Sequence, residues 1–180
     1  MIVGFTLRRA AVAVAALLLA APACRVGAVE TTSCFSAGDV QELLSQLETL
    51  RAAGAVCGGE AMAPAPPLRW SAVLAATARV HALDMAEHDR VSHDAADGRS
   101  LAQRLVDGGY RFSVAGENVA GGQKTVSAVL AAWLTSPAHC KAMLRPEFKD
   151  AGMACVRRET GTYRSHWVLH LATPKVDAGR

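Results

Sequence analysis

Three short segments of this chain carry side chains whose types and spacing could do chemistry. They lie at 92–93, 116–119 and 136–140 and read Ser-His, Gly-Glu-Asn-Val and Ser-Pro-Ala-His-Cys. Two imidazoles and one carboxylate, brought together by folding, make a three-ligand site with an open position, which is the arrangement of catalytic zinc. The sequence therefore predicts a site for Zn²⁺ or another divalent cation at His93, Glu117 and His139.

The same three residues allow a hydrolytic alternative and a structural one. A bound metal can activate water, and Glu117 would then be the general base of a metal-dependent hydrolase acting on a peptide or cell-envelope substrate. No catalytic nucleophile is assigned, because Cys140 is better explained as a disulfide partner and Ser136 as a helix cap. The zincin pattern H-E-x-x-H is also absent from the chain. In the structural alternative, both histidines hold loops and Glu117 orders residues 116–122 by accepting backbone N–H bonds.

The other histidines have simpler explanations. His81 lies in an apolar helical stripe and is predicted to be a partly buried side chain with a hydrogen-bond partner, rather than a ligand. His166 and His170 fall on one face of a predicted strand, where they either bind metal or belong to a half-exposed strand. His88 is predicted at the surface near a helix end. The three tryptophans are predicted to anchor the core, and they are Trp70, Trp133 and Trp167.

Helices are predicted to position these groups. Apolar residues recur at helical spacing from Val40 to Leu50, and the pattern stops at Gly54. Further helices are predicted over 71–88, 100–106 and 125–133, with an extended proline-rich connector at 64–67.

One more helix is predicted to begin at Ser136 and Pro137, with serine as the N-cap and proline at the first helical position. This start places His139 in the first turn, where the positive end of the helix dipole disfavours the imidazolium form. A neutral imidazole is the form that binds a metal or accepts a hydrogen bond.

The last third of the chain changes to strand patterns. Residues 152–156 and 163–172 are predicted strands, joined by a hairpin loop that contains Gly161. Helices first and a small antiparallel sheet late predict an α+β domain or a layered α-β-α domain.

The first 28 residues are predicted to be a secretory signal peptide. Two arginines precede an apolar run over 10–21, which is too short to span a bilayer comfortably. Cleavage is predicted after Ala23 or Ala28. A lipid-anchored Cys24 is the alternative, although a lipobox prefers a large aliphatic residue where Ala21 stands. The product is expected to be secreted or periplasmic, with no transmembrane segment in the mature chain.

Removal of this leader leaves a chain with little net charge. The full sequence has 19 Lys and Arg against 16 Asp and Glu, but three of the arginines and none of the acids lie in the leader. There is therefore no electrostatic basis for nucleic-acid binding, which needs clustered positive charge. The remaining roughly 150 residues match one domain.

Four cysteines remain after cleavage at Ala28, and an even number in an exported chain argues for two disulfides. They are Cys34, Cys57, Cys140 and Cys155. Three pairings are available. We favour Cys34–Cys57 with Cys140–Cys155, because each bond then closes a loop of modest size. Free thiols or a zinc cluster are the alternative, but the chain has no C-x-x-C spacing.

The order of motifs resembles the CAP superfamily, which comprises cysteine-rich secretory proteins, antigen 5 and plant pathogenesis-related proteins and is also called the SCP domain. Its bacterial secreted branch is the nearer resemblance, over residues 40–172. The matching motifs are, in order, Leu50-Arg51, Cys57-Gly58, Pro67-Leu68-Arg69-Trp70, His81 with Met85, Ser92-His93, Asp97-Gly98, Arg104, Gly109-Tyr110, 116–120, Trp133 and 136–139.

This resemblance implies a three-layer α-β-α sandwich whose central cleft is lined by two histidines and two acidic residues. His93, Glu117 and His139 match three of these positions, but the fourth acid, shortly after Trp133, has no counterpart. The resemblance favours a non-enzymatic binding module whose cleft binds a divalent cation and whose apolar groove binds lipid, a sterol or a protein partner. The chain divides accordingly into a signal peptide, an N-terminal segment, a CAP/SCP domain and a tail, over 1–28, 29–39, 40–173 and 174–180.

Overall fold

A computed structural model describes residues 30–176, which contain five helices and seven strands. The helices are α1 (Ala37–Ala53), α2 (Ala72–Glu87), α3 (Leu101–Asp107), α4 (Val126–Thr135) and α5 (Pro137–Leu144). The strands are β1 (Thr31–Ser33), β2 (Ala55–Cys57), β3 (Glu60–Met62), β4 (Arg69–Trp70), β5 (Phe112–Gly121), β6 (Asp150–Arg158) and β7 (Ser165–Pro174). The predicted leader, including Cys24, lies outside the described residues. Within them, none of the helices has the length and apolarity needed to cross a membrane.

The predicted helices are present, and their ends follow from local chemistry. Ser71, Ser100 and Thr125 are N-caps whose hydroxyl oxygens each accept the backbone N–H three residues on. Gly54 ends α1 with a φ of 69°, in the left-handed region that glycine enters without strain. Ser136 differs from the prediction, because it stands at the N-cap of α5 without a side-chain hydrogen bond. The proline at the first position therefore marks this start.

A five-stranded sheet forms the middle layer of the domain. Its order is β1-β6-β7-β5 with antiparallel neighbours, and β4 pairs with β6 in parallel. β2 and β3 form a separate hairpin. β5 stands at one end of the order, so its outer edge has no neighbouring strand in the described part of the chain.

Helices cover both faces of this sheet. On one face, α1, α4 and α5 pack against alternate residues of β7 that include Trp167 and Leu169. On the opposite face, α2 packs on Val168, and α2 and α3 pack on Ala172. The predicted fold class, an α+β three-layer sandwich, is confirmed. Because both faces are covered, residues 165–172 are buried throughout instead of half-exposed.

Strand prediction succeeded only near the C-terminus. β6 and β7 contain most of the two predicted strands, but the ten-residue β5 was treated as a loop around residues 116–122. Glycines and polar side chains interrupt the apolar alternation of this segment, so it carries no clear strand pattern. It becomes a strand because it pairs with β7, where Glu117 stands opposite His170.

The number of disulfides is as predicted, but the favoured pairing is wrong. Cys34 bonds Cys155 with a Cα–Cα distance of 5.0 Å, and Cys57 bonds Cys140 with a Cα–Cα distance of 5.6 Å. Sheet register explains the first bond, because β1 pairs with β6 and the N–H of Cys34 donates to the carbonyl oxygen of Cys155. The second joins the end of β2 to α5. Short loop length is a weaker guide than tertiary neighbours, since the cost of closing a loop grows slowly with its length.

Candidate functional site

β5 positions the site by sending consecutive side chains to opposite faces of the sheet. Glu117 points towards α2 and lies opposite His170 of β7. Asn118 points to the other face, where its Nδ2 donates to the carbonyl oxygen of His139 at 3.1 Å. One edge strand thereby contacts both helical layers at the same level of the sheet.

The carboxylate of Glu117 is buried and bonded at both oxygens, with its side chain 2% exposed. Oε2 accepts from the Arg104 guanidinium at 2.6 Å and from Nε2 of His170 at 2.9 Å. Oε1 accepts from Nδ1 of His93 at 2.9 Å. An ionised carboxylate only accepts hydrogen bonds, so each histidine nitrogen here is the donor. Glu117 therefore joins α3, β7 and the segment after α2.

These contacts determine the charge of Glu117. Burial alone raises the pKa of this carboxyl group, but the hydrogen bonds from His170 and His93 and the positive charges of His170 and Arg104 outweigh burial. The pKa of Glu117 consequently lies well below its usual range. The group is ionised at neutral pH and is a weak proton acceptor.

His93 and His139 approach each other from opposite layers. Their ring centroids are 6.4 Å apart, and the side chain of His93 is 58% exposed. Because Nδ1 of His93 is bonded to Glu117, Nε2 is its available nitrogen. No hydrogen bond reaches either ring nitrogen of His139 from residues 30–176. The pair thus has imidazole nitrogens that form no hydrogen bond within the described residues.

The environments of these two imidazoles shift their pKa values in opposite directions. The hydrogen bond to Glu117 raises the pKa of His93. Burial lowers the pKa of His139, and the charge of His93 lowers it further. The pKa of His139 is lowered, which is the predicted direction, but the causes are burial and the charge of His93 rather than the dipole of α5.

Two buried residues of α2, Thr77 and His81, lie beside Glu117 and its partner His170. Thr77 Oγ1 lies 3.0 Å from Nδ1 of His170 and 2.9 Å from the carbonyl oxygen of Leu74. His81 has Nε2 at 2.8 Å from the carbonyl oxygen of Ser92, and burial lowers its pKa. Its Nδ1 is buried without a hydrogen-bond partner. His81 thus has one hydrogen-bond partner, but it is fully buried where the sequence predicted partial burial, and its Nε2 lies 3.9 Å from Oε2 of Glu117.

The remaining candidates lie away from the cleft. His166 is fully buried against Tyr163, and neither ring nitrogen has a hydrogen-bond partner. His88 is half-exposed, as predicted, with Nδ1 at 2.8 Å from the carbonyl oxygen of Asp84. Asp97, which follows His93 by four residues, binds Arg99 in an exposed loop. Trp133 and Trp167 are buried in the core, and Trp70 packs at its edge.

Among the described residues, the metal donors without a hydrogen bond at this site are the two imidazoles. No group of three or more His, Cys, Asp or Glu side chains within residues 30–176 is arranged to hold a metal ion. Both oxygens of Glu117 are engaged, which leaves the free nitrogens of His93 and His139 as donors. Two imidazoles fit a divalent cation that keeps further positions for water or ligand. The three-ligand set of His93, Glu117 and His139 stays a prediction.

Sequence reasoning missed the residues that hold Oε2 of Glu117. The sequence presents Arg104 only as a family motif, and His170 as either a metal ligand or a member of a half-exposed strand. A buried carboxylate requires a compensating cation, and this rule points to Arg104. The rule applies only once Glu117 is known to be buried, and its strand was not predicted.

A cleft of about 510 Å³ adjoins Glu117. Its walls are mainly apolar and include Met62, Ala115, Ala138, Ala142, Pro146 and Phe148. The two cations at its rim already have acidic partners, because Lys141 binds Glu60 and Arg145 lies 3.2 Å from Glu147. The cleft therefore has little net charge to offer a ligand.

The three-layer sandwich, with histidines from both layers beside a buried glutamate, defines an SCP-type domain. The chain belongs to the CAP family, described as the cysteine-rich secretory protein family, whose profile matches residues 44–171. The family predicted from the sequence is confirmed.

Two curated relatives come from Bacillus subtilis (strain 168). The uncharacterized protein YkwD is 33% identical over 90 residues, which is 50% of this chain and 35% of that protein. The uncharacterized membrane protein YlbC is 34% identical over 91 residues, which is 51% of this chain and 26% of that protein. The match therefore spans about a third or less of these relatives.

Solved structures agree with the fold. An extracellular protein containing an SCP domain from Bacillus anthracis superposes with a TM-score of 0.62 at 26% identity, covering 76% of this chain and 40% of that one. An outer surface protein from Borrelia burgdorferi has a TM-score of 0.68 at 20% identity, covering 81% of this chain and 100% of that one. The second likeness concerns the fold alone.

Proposed function

We propose that this chain is an exported CAP-domain binding module that takes up a divalent cation, with Zn²⁺ as the first candidate, between His93 and His139. The observation that carries the proposal is the pair of imidazoles with centroids 6.4 Å apart, one of them held by Glu117 through Nδ1. When bound, the cation supplies a Lewis-acid centre. All other roles belong to the side chains that hold and orient the two imidazoles.

Glu117 acts in this proposal as the residue that orients His93. A histidine that binds metal through one ring nitrogen usually donates the other N–H to a carboxylate or carbonyl, which fixes the tautomer and the ring direction. The contact between Nδ1 of His93 and Oε1 of Glu117 has this form. Arg104 and His170 hold the carboxylate in place through Oε2.

The hydrolase alternative finds less support in this geometry. A general base works best when its pKa lies near the operating pH. The pKa of Glu117 is held far below that range by its hydrogen bonds, and its Oε2 faces Arg104 and His170. We therefore propose binding rather than hydrolysis.

The apolar cleft beside Glu117 is the proposed site for a second ligand with an apolar body, such as an acyl chain or a sterol. Its volume of about 510 Å³ lies in the range of small-molecule pockets. Its rim charges are internally paired, which favours a ligand without strong charge. Export is part of the same proposal: it is supported by the two disulfides, which persist in oxidising compartments, and by the leader pattern.

A calorimetric Zn²⁺ titration of the disulfide-bonded protein without its leader tests the cation site. We expect saturable one-to-one binding that is lost in His93→Ala and in His139→Ala. His88→Ala is the matched control, because His88 is half-exposed and lies outside the cleft. Absence of binding in the wild type, or binding that survives in both His93→Ala and His139→Ala, would indicate that these histidines only hold loops.

A fluorescent fatty acid tests the apolar cleft. Ala138 is exposed and lines the cleft, so Ala138→Trp should fill it and weaken binding by at least about tenfold, or about 1.4 kcal/mol. Ala131→Trp, at an exposed position on α4, is the control and should bind normally. Equal binding by both variants would remove the apolar ligand from the proposal and leave the cation site untouched.

A further inference from the structure

A second cavity lies where the β5–α4 connection meets the β6–β7 hairpin. Its volume is about 390 Å³. It is lined by Gly122, Gln123, Lys124, Arg157, Thr162, Arg164 and Ser165. Ser165 begins β7, whereas His170, the partner of Glu117, lies five residues further along. At the rise of a strand this separates the two sites by about 17 Å.

The charge of this cavity has a single sign. Three of the lining residues are cationic, namely Lys124, Arg157 and Arg164, and none is acidic. Within residues 30–176, the side chains of Lys124 and Arg157 form no ion pair or hydrogen bond. The guanidinium of Arg164 donates to the carbonyl oxygen of Glu159, so it meets no carboxylate either.

Two acidic residues lie at this hairpin, Asp89 and Glu159, and within residues 30–176 neither forms an ion pair with a cation of the cavity. Asp89 accepts the backbone N–H groups of Thr162 and Tyr163, with the shortest contact at 2.7 Å, and lies 3.5 Å from the buried Arg158. Its carboxylate therefore holds the loop backbone and leaves the three cavity cations uncompensated. The domain as a whole is close to neutral, so this concentration of positive charge is local.

We propose that this cavity binds an oxyanion, a phosphate or sulfate group carried on a larger polar molecule. Arginine presents a planar set of donors that matches the oxygens of phosphate, and lysine adds a point charge. α4, which begins just after Lys124, has no acid in its first turn, so its positive end adds to the same field. The cavity exceeds the size of one phosphate group, which is why the group is attached to a larger body.

The test is a titration with inorganic phosphate at low ionic strength, followed through backbone amide NMR signals of the disulfide-bonded protein. We expect saturable shifts at residues 122–124 and 162–165. Lys124→Ala and Arg157→Ala should each weaken binding by about tenfold or more, since each removes a charge-assisted contact. Both side chains are exposed, and unchanged circular dichroism would show that the variants fold.

Lys149→Ala is the control, because Lys149 is an exposed lysine outside the cavity. Shifts that are absent, or that are equal in the cavity variants and the control, would overturn the proposal. Vesicles of phosphatidylcholine with and without phosphatidylglycerol then identify the source of the group. Binding that needs phosphatidylglycerol and Lys124 indicates a lipid headgroup, and binding of free phosphate alone indicates a soluble ester.

Discussion

Two of the buried arginines, Arg51 and Arg104, lie on opposite sides of the sheet, and their donors are bonded to different kinds of acceptor. Arg51 of α1 is fully buried and donates to four backbone carbonyl oxygens, those of Pro66, Met143, Arg145 and Phe148. Arg104 of α3 is 5% exposed and donates to the carboxylate of Glu117 as well as to carbonyl oxygens. One holds loops and the other completes an ion pair.

This difference distinguishes a structural cluster around Arg51 from the candidate site around Arg104 and Glu117. Carbonyl oxygens do not titrate, so Arg51 joins four segments without making any group responsive to pH or ligand. Glu117, by contrast, is bonded to Arg104 through Oε2 and to the exposed His93 through Oε1. Arg104 therefore helps to hold the carboxylate that orients His93. A buried cation therefore contributes to a site only where its partner is shared with exposed chemistry.

Removal of the Arg104 guanidinium should give the largest loss in the free energy of unfolding. Arg104→Met leaves Glu117 as a buried charge without its ion-pair partner, which costs about 3–5 kcal/mol. The added change Glu117→Gln should recover most of this loss, because it removes the uncompensated charge. Urea denaturation measures both. A loss below about 1 kcal/mol, or no recovery in the double variant, would show that the pair is not the centre of this region.

Removal of Arg51 should cost somewhat less and should not be rescued. Arg51→Met leaves four carbonyl oxygens without their donor, which we expect to cost about 2–4 kcal/mol because two of them, those of the exposed residues Pro66 and Arg145, can turn towards water. Adding Glu117→Gln should not reduce this cost, since the two clusters share no partner. The same urea series measures it, and a rescue would mean that the two clusters are coupled.

The pH dependence of stability should distinguish the cluster around Glu117 from the cluster around Arg51. The pKa of Glu117 is lowered by folding, so its contribution is present above its ordinary value of 4.5 and is lost as pH falls through the folded-state pKa. The pKa of His93 is raised, so its contribution is full below 6.5 and is lost as pH rises through the folded-state value.

The experiment for this prediction compares urea midpoints from acid to mildly basic pH, with a chelator present. The gap between wild type and His93→Ala should be widest below pH 6.5 and should narrow above it. Arg51→Met should shift the wild-type curve by a constant amount. A gap that widens with rising pH would contradict the assigned contact between His93 and Glu117.

The smallest effect is expected at His81. Its Nδ1 has no hydrogen-bond partner, and its Nε2 contacts only the carbonyl oxygen of Ser92 within hydrogen-bond distance. His81→Leu keeps an apolar body of similar size, so the loss should be about 1 kcal/mol. Thermal denaturation measures it. A loss as large as that of Arg104→Met would place His81 within the ion-pair cluster.

The sequence by itself determined the helices and the family, and it singled out three residues that the fold brings close together. Serine and threonine caps, Gly54 and the proline of α5 act over a few residues, so their effects can be deduced locally. The order of motifs around His93, Glu117 and His139 was enough to predict an α-β-α sandwich. The near-neutral charge of residues 29–180 was equally plain.

Only the tertiary structure decided which cysteines pair and what Glu117 does. β5 has no clear strand pattern of its own and forms by pairing with β7, which buries Glu117 beside His170 and Arg104. β1 pairs with β6, which lies much later in the sequence, and this pairing brings Cys34 to Cys155, 121 residues away along the chain. Both outcomes depend on contacts between residues far apart in sequence. Local propensity carries no information about such contacts, because sheet register is set by the assembled core.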